Sequence, residues 1–363
     1  MPTPQASGLD GIIVAETALS DVDGERGKLT IRGYSVEDLV ERATFEQVCG
    51  LMWNGAWPSD PARDAIAAAL ADARVYAFDL LPSIGTALDS ADGMEALRTA
   101  VGHLRAGNPD DDRLRLTGAT AVFSAAWARR QQGLLPVPPR RTLSHAADIL
   151  HMLSDDTPHP ARVRGLDAYL CCVVDHGMNA STFTARVVAS TGSDLVSAVV
   201  AAIGALKGPL HGGAPGPVLA MLDAIGRPDR ARSWLEQEIA AGRRIMGMGH
   251  RIYRVRDPRA AALESATARL ERTGVAADRL AIARAIEREA ERLLAERHPE
   301  RPLRANVEFY TAVLLDAVGI PRTLFSPMFA SSRVVGWCAH VAEQRAVGRL
   351  IRPGSTYVGA TAG

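Results

Sequence analysis

Lysine is nearly missing from this chain of 363 residues: Lys28 and Lys207 are its only two, and arginine supplies almost all the remaining positive charge. Lys+Arg and Asp+Glu both number 41, so the formal net charge is zero and nothing in the overall balance favours nucleic acid or an anionic membrane. With arginine so abundant, only individual placements can argue for anion binding. No apolar run approaches the about 20 residues of a membrane span; the most apolar, "LVSAVVAAIGAL" at 195–206, is too short. The opening "MPTPQASGLDG" has neither a charged n-region nor an apolar core, so no signal peptide is expected and the predicted location is cytoplasmic. The four cysteines (Cys49, Cys171, Cys172, Cys338) form no CxxC pair and are predicted to be buried reduced thiols rather than a metal or redox site. HxxxH, HExxH and GxSxG are all absent, which leaves no motif for a metal or a serine triad. "GMG" at 247–249 follows no convincing strand, against a dinucleotide fold. "DVDGERG" at 21–27 lacks the later ligands of a calcium loop and reads as a surface turn.

What is present is helical. Apolar residues recur at three and four in "EDLVERATFEQVCGLMWNG", "DAIAAALADARV", "TLSHAADILHML", "SDLVSAVVAAIGALKG" and "ADRLAIARAIEREAERLLAERHP". "DAYLCCVVD" carries the same pattern and is predicted to continue beyond Asn179. Helix punctuation is provided by Ser144 as N-cap, Asp257-Pro258 as N-cap and first residue, and Gly208-Pro209 as a stop. Only "GIIVAETALSDVDG" and "GKLTIRGYS" read as strands, forming an N-terminal hairpin. The expected fold class is all-α with that short hairpin.

Three histidines sit at glycine-rich helix breaks: His176 in "VVDHGMNAST", His211 in "ALKGPLHGGAPGP" and His250 in "RRIMGMGHRIY". An imidazole in such a junction is well placed for chemistry, because glycine lets backbone and ligand approach closely; a structural role is the competing reading. His145 and His151 lie within one helix pattern and read as structural or solvated. Arg259, in a helix first turn, Arg333, among small and apolar residues, and Arg352, near the C-terminus, could fork onto the carboxylates of a small diacid or serve as salt bridges. Glu308 in "RANVEFYTAVLLDAVGIP" stands at the threshold of a buried helix. It is either a first-turn acid favoured by the helix dipole, with Asn306 as N-cap, or a general base.

Together these segments resemble the citrate synthase family. The resemblance runs from "GLDGIIVAETALSDVDGERGKLTIRGY" to "RLIRPGSTYVG" and is strongest in "DHGMNASTFTARVVAST", "AAIGALKGPLHGGA", "MGMGHRIYRVRDPRA" and "NVEFY". It implies a helical homodimer with a large domain (1–211 and 320–363) and a small domain (212–319) that closes over oxaloacetate and acetyl-CoA, with no cofactor. By matched positions, Glu308 would be the base that deprotonates the thioester, His211 the donor to the developing enol oxygen, and His250 the group that polarises the ketone. His176, Arg259 and Arg333 would hold oxaloacetate beside Phe329, and Arg352 would reach the neighbouring subunit's site. Met246, Gly247, Gly249, Arg254 and Asn306 would line the coenzyme A site, Arg254 as a phosphate contact.

The sequence departs from the family pattern at Glu308, where aspartate is usual, at Gly177, where an acid is common, and at Gly354, where a base is common. Glutamate keeps a carboxylate of nearly the same intrinsic pKa, about 4.3 against 3.9, and adds about 1.5 Å of reach. The expected reaction is condensation of oxaloacetate with acetyl-CoA to citrate. The alternatives are 2-methylcitrate synthesis from propionyl-CoA or a longer acyl-CoA, citryl-CoA cleavage, and a non-catalytic metabolite-binding paralogue.

Overall fold

The computed structural model describes residues 7–9, 11–211, 215–275, 279–300 and 303–360. The two glycines expected just after His211 lie outside the described residues.

The chain begins with a small antiparallel sheet, β1 (Ser20–Asp23), β2 (Lys28–Ile31) and β3 (Tyr34–Ser35), in that spatial order. The predicted hairpin is present, with two differences. The first strand starts only at Ser20, because β2 turns away after Ile31 and leaves nothing for residues 12–18 to pair with. That turn, Arg32-Gly33, has both residues at positive φ (49° and 87°) and folds the end of the second segment back as β3.

Helices follow without further strands among the described residues. The first long pattern breaks at Ala43-Thr44 into α1 (Val36–Arg42) and α2 (Phe45–Asn54), where Thr44 and Gln47 form a capping box. Then come α3 (Asp60–Asp79), α4 (Gly93–Val101), α5 (Pro109–Gln131), α6 (His145–Ser154), α7 (Pro160–Val173), α8 (Ala180–Ser190) and α9 (Leu195–Leu206). After His211 the chain forms α10 (Pro215–Ile225), α11 (Ala231–Ala240), α12 (Pro258–Glu271), α13 (Leu280–Arg297), α14 (Val307–Val318) and α15 (Phe325–Val347).

The core is built around α5, α7 and α15. Residues 116–128 of α5 and 330–341 of α15 are buried on every face, so these helices are packed on all sides rather than along one stripe. Helices α3 and α5 come close at Gly118, where a Cβ would lie 2.7 Å from the Ala73 carbonyl carbon. The four cysteines are buried and unpaired. His145 and His151 are buried in α6. The His145 ring lies 3.1 Å from the Arg74 guanidinium, and burial together with that cation keeps its pKa well below the ordinary value. Arg74 in turn pairs with Asp148 at 2.5 Å. Burying such ions costs several kcal/mol each unless their hydrogen bonds are satisfied; the Leu143 carbonyl and the Arg140 N–H do so here. No described helix is long and apolar enough to cross a membrane.

Candidate active site

The helix expected to run past Asn179 is interrupted. It ends at Val173, and α8 starts only after Asn179, whose side chain caps it by accepting the Thr182 N–H. Gly177, with φ of 58°, reverses the chain between them. The break is anchored by buried polar groups. Asp175 accepts from Ser20 Oγ and from His340 Nε2 (3.1 Å), His340 Nδ1 accepts from Arg186 Nε (3.1 Å), and Arg186 pairs with Glu343. Burial alone would raise the Asp175 pKa, but His340 and Arg333 outweigh it and hold it at about 2. α15 fits against this break only because position 336 is glycine: a Cβ there would lie 2.4 Å from the Val174 carbonyl oxygen.

The buried His176 therefore projects from a rigid break rather than a helix face. Its Nε2 is 3.1 Å from the Tyr253 hydroxyl, and its ring centroid is 5.7 Å from that of His250. His250 follows Gly247 and Gly249, both at positive φ (75° and 86°), in a segment clamped to 304–306. The Gly249 N–H donates to the Arg304 carbonyl (2.7 Å), the Asn306 N–H to the Gly247 carbonyl (2.9 Å), and the Asn306 side chain to the Gly249 carbonyl (2.8 Å). The same Asn306 side chain caps α14 by accepting the Glu308 N–H at 3.0 Å, so the first-turn reading of Glu308 holds. One residue thus ties the His250 segment to Glu308.

Proton positions follow from the donors around each ring. His250 Nδ1 accepts the N–H groups of Ile252 (3.0 Å) and Tyr253 (3.1 Å), so the proton is on Nε2. That Nε2 lies 3.5 Å from Arg259 Nη2: two donors face each other, a place suited to an oxygen acceptor. His211 Nε2 accepts the Ser181 N–H at 3.3 Å beside the Ser181 hydroxyl at 2.9 Å, which leaves the His211 proton on Nδ1. Burial, with Arg259 acting on His250 and Arg333 on His211, lowers each pKa to about 4, so both rings are neutral donors at pH 7.

Arg259 does not stand as an uncompensated cation. It forks onto its own N-cap, with Nη2 2.7 Å and Nε 3.1 Å from the Asp257 carboxylate, and Asp257 also accepts the Val307 N–H at 3.2 Å. Arg333 is the unsatisfied one. It is buried on α15, donates from Nε to the Val173 carbonyl (2.8 Å), stacks over Phe329 (4.6 Å), and leaves Nη2 with no partner. Burial lowers its pKa to about 10. A buried guanidinium nitrogen without an acceptor is costly in a fold and suited to a ligand carboxylate.

Glu308 is half-buried. Burial pushes its pKa up to about 7; the Arg259 charge opposes the shift and Asp257 adds to it. The structure thus gathers a carboxylate poised near neutrality, two neutral imidazole donors and two buried guanidinium groups. Such a set can remove a proton from carbon while stabilising negative charge on oxygen.

Beside His250 opens a cavity of about 550 Å³. Gly249 lines it, with Arg243, Arg244, Arg251, Arg297 and His298 around apolar Ile245, Leu294 and Leu303. The half-buried Met246 packs against the core beside it. Arg254 does not line this cavity; like Arg244 and Arg251 it is exposed, and it faces Glu25 at 4.0 Å. Arg352 is exposed in the extended C-terminal segment. Residues missed from sequence are Tyr253, Ser181, Asp175 and the cavity arginines. Tyr253, three residues past His250, lay within the segment already singled out; the cavity arginines had no signal, being surrounded by so many others.

A family model described as "Citrate synthase, C-terminal domain" matches residues 8–354. The chain is 37% identical over 366 residues to "Putative citrate synthase 2" of Mycobacterium tuberculosis, covering 99% of this chain and 94% of that protein. It is 38% identical over 363 residues to "2-methylcitrate synthase" of the same organism, covering 97% and 90%. Among solved structures, the citrate synthase of Thermoplasma acidophilum, in ternary complex with carboxymethyl coenzyme A and oxaloacetate, superposes with a TM-score of 0.86 at 26% identity, covering 98% of this chain and 96% of that one. By sequence and fold over nearly its whole length, this chain belongs to the citrate synthase family of acyltransferases.

Proposed function

We propose that the protein condenses oxaloacetate with acetyl-CoA and hydrolyses the resulting thioester to citrate and coenzyme A. The observation that carries this reading is the grouping of Glu308, His250 and His211 around two buried guanidinium groups. His250 Nε2 lies 3.5 Å from Arg259 Nη2, Arg259 also acts on Glu308, and Arg333, with its unpartnered Nη2, acts on His211. Burial raises the carboxylate to about 7 and lowers both imidazoles to about 4. Groups whose environments drive their pKa values apart divide into base and donors. Glu308 takes the proton from the thioester methyl, and His211 Nδ1–H donates to the enol oxygen that forms. His250 Nε2–H and the facing Arg259 N–H polarise the oxaloacetate ketone, and His250 passes its proton to that oxygen as the carbon–carbon bond closes. The unpartnered Arg333 Nη2 takes a carboxylate, with His176 and Phe329 at its flank. The arginine-lined cavity suits the phosphates of coenzyme A, with Arg244 and Arg251 joining Arg254 as phosphate contacts. Residues 212–319 act as a closing domain, and the active form is a homodimer in which Arg352 enters the partner's site.

For Glu308 to act as the base, its additional methylene over aspartate has to be compensated by the backbone, and Asn306, which caps α14, fixes where that helix begins. A second reading is 2-methylcitrate synthesis from propionyl-CoA: the 38% identity to a protein of that name equals that to a citrate synthase. One methylene in a pocket separates the two by only about 1–3 kcal/mol.

The test is thiol release from acetyl-CoA and propionyl-CoA with oxaloacetate, for the wild type, Glu308→Gln and Glu308→Asp. Gln is expected to lose roughly 10²–10⁴-fold, and Asp, misplaced by more than about 1 Å, on the order of a hundredfold. The better thioester decides between the two syntheses. A Gln variant as fast as wild type removes Glu308 as base, and an inert wild type that still binds oxaloacetate makes the chain a metabolite-binding relative.

A further inference from the structure

The turn at 21–27 reads from sequence as a surface feature, yet its glycines are packed against protein. A Cβ at Gly24 would lie 2.5 Å from the Ile252 carbonyl oxygen, and one at Gly27 would lie 2.5 Å from Val255 Cγ2. The Gly24 carbonyl accepts the Arg254 N–H at 3.0 Å. At the other end of β1, Ser20 Oγ donates to Asp175 at 2.5 Å and accepts the Gly177 N–H at 2.9 Å. The segment Ser20–Gly24, strand β1 and the turn residue that follows it, therefore touches both the break that presents His176 and the loop that presents His250. Among the described residues no backbone hydrogen bond joins 174–179 to 250–256 directly; the contact between them runs through side chains, chiefly His176 to Tyr253. The Asp175 end is tied to the core through His340 and Arg186, so β1 has one anchored end and one that holds a loop.

We infer that the N-terminal sheet is a strap that sets the spacing between the two histidine-bearing loops, with Ser20 and Gly24 as positioning residues. A strand of four residues spans roughly 13 Å and resists length change far better than side-chain packing alone. The inference rests on the proposal that His176 and His250 hold oxaloacetate.

Gly24 and Gly33 separate contact from strain. Gly24 is not among the positive-φ glycines, so alanine there adds only the clash with Ile252; Gly33, in the same sheet, has φ of 87° and nothing within 4 Å, so alanine there adds only backbone strain. Amide exchange of the segments 174–179 and 250–257, Tm, and kcat and KM for each substrate are measured in both variants. Gly24→Ala is expected to speed exchange at 250–257 and to lower kcat/KM for oxaloacetate about tenfold or more, with a fall in Tm because the clash is with backbone. Gly33→Ala is expected to lower Tm and leave both readouts near wild type. Ser20→Ala provides the same test at the other anchor if Gly24→Ala fails to fold: exchange should quicken at 174–179, and Ser20→Thr, which keeps the hydroxyl, should restore it. Wild-type exchange in Gly24→Ala and Ser20→Ala, or an equal kinetic loss in Gly33→Ala, overturns the strap. If the wild type turns over no oxaloacetate, the proposed function fails and the exchange data alone judge the strap.

Discussion

Glu308 satisfies two descriptions at once. It is the first-turn acid of α14, capped by Asn306, and it is a carboxylate whose burial raises its pKa to about 7. The unfolded value is about 4.3, so the folded state favours the protonated form. The sign of the pH dependence follows: this group's contribution is fully present below about pH 4.3 and is lost as pH rises through 7, because charge must then be held in a half-buried place. Glu308→Gln is therefore expected to melt at the wild-type temperature near pH 4 and above it by a few degrees at pH 8. The gap should open between about pH 4.3 and 7 and then stay flat. A pH-independent gap in parallel thermal melts would show that the carboxylate carries no such cost. The residue was conspicuous in the sequence as a charge beside an apolar run. Its raised pKa was not legible, because burial at 308 is supplied by segments distant along the chain.

At the scale of elements, catalytic geometry is held by caps and breaks rather than by helix faces. Asn306 is the clearest case, since its one side chain caps α14 and holds the Gly249 carbonyl. Ser144 caps α6, a helix that carries none of the site residues, by the same physics. Replacing either with alanine is expected to cost about 1 kcal/mol of stability. Only Asn306→Ala should also depress kcat/KM, by at least tenfold, because it frees the His250 segment as well. Denaturant titrations beside steady-state kinetics check this, and equal kinetic effects would make Asn306 a cap and nothing more. Both caps were readable in the sequence, as was the Asp257-Pro258 start of α12. The break at 174–179 was legible only in part: Gly177 marked it, but the apolar runs on both sides carry helix periodicity across it, and what ends the helix is the buried hydrogen bonding of Asp175 to Ser20 and His340.

At the scale of the molecule, the C-terminal segment stands apart. Arg352 is exposed, and Leu350, Tyr357 and Val358 are 57%, 73% and 91% exposed, a row of apolar groups that a second copy would cover in the proposed homodimer. If Arg352 acts in the partner's site, Arg352→Ala and Glu308→Gln should complement each other. Half of randomly mixed dimers would hold one intact site, returning about a quarter of wild-type activity. No recovery after verified subunit exchange would place Arg352 outside the neighbouring site. By itself the sequence determined the helical class, the N-terminal strands, the caps, the buried thiols and the membership of a family, because local periodicity, capping chemistry and ordered motifs are properties of neighbouring residues. Tertiary structure decided which cations are paired and which are not: Arg259 is answered by Asp257, whereas Arg333 keeps an orphaned nitrogen. It also decided the tautomers of His211 and His250 and the acidity of Glu308. The first depends on the Ser181 N–H, 30 residues away, the second on a loop conformation that turns the Ile252 and Tyr253 N–H groups onto Nδ1, and the third on desolvation, none of which a local pattern encodes.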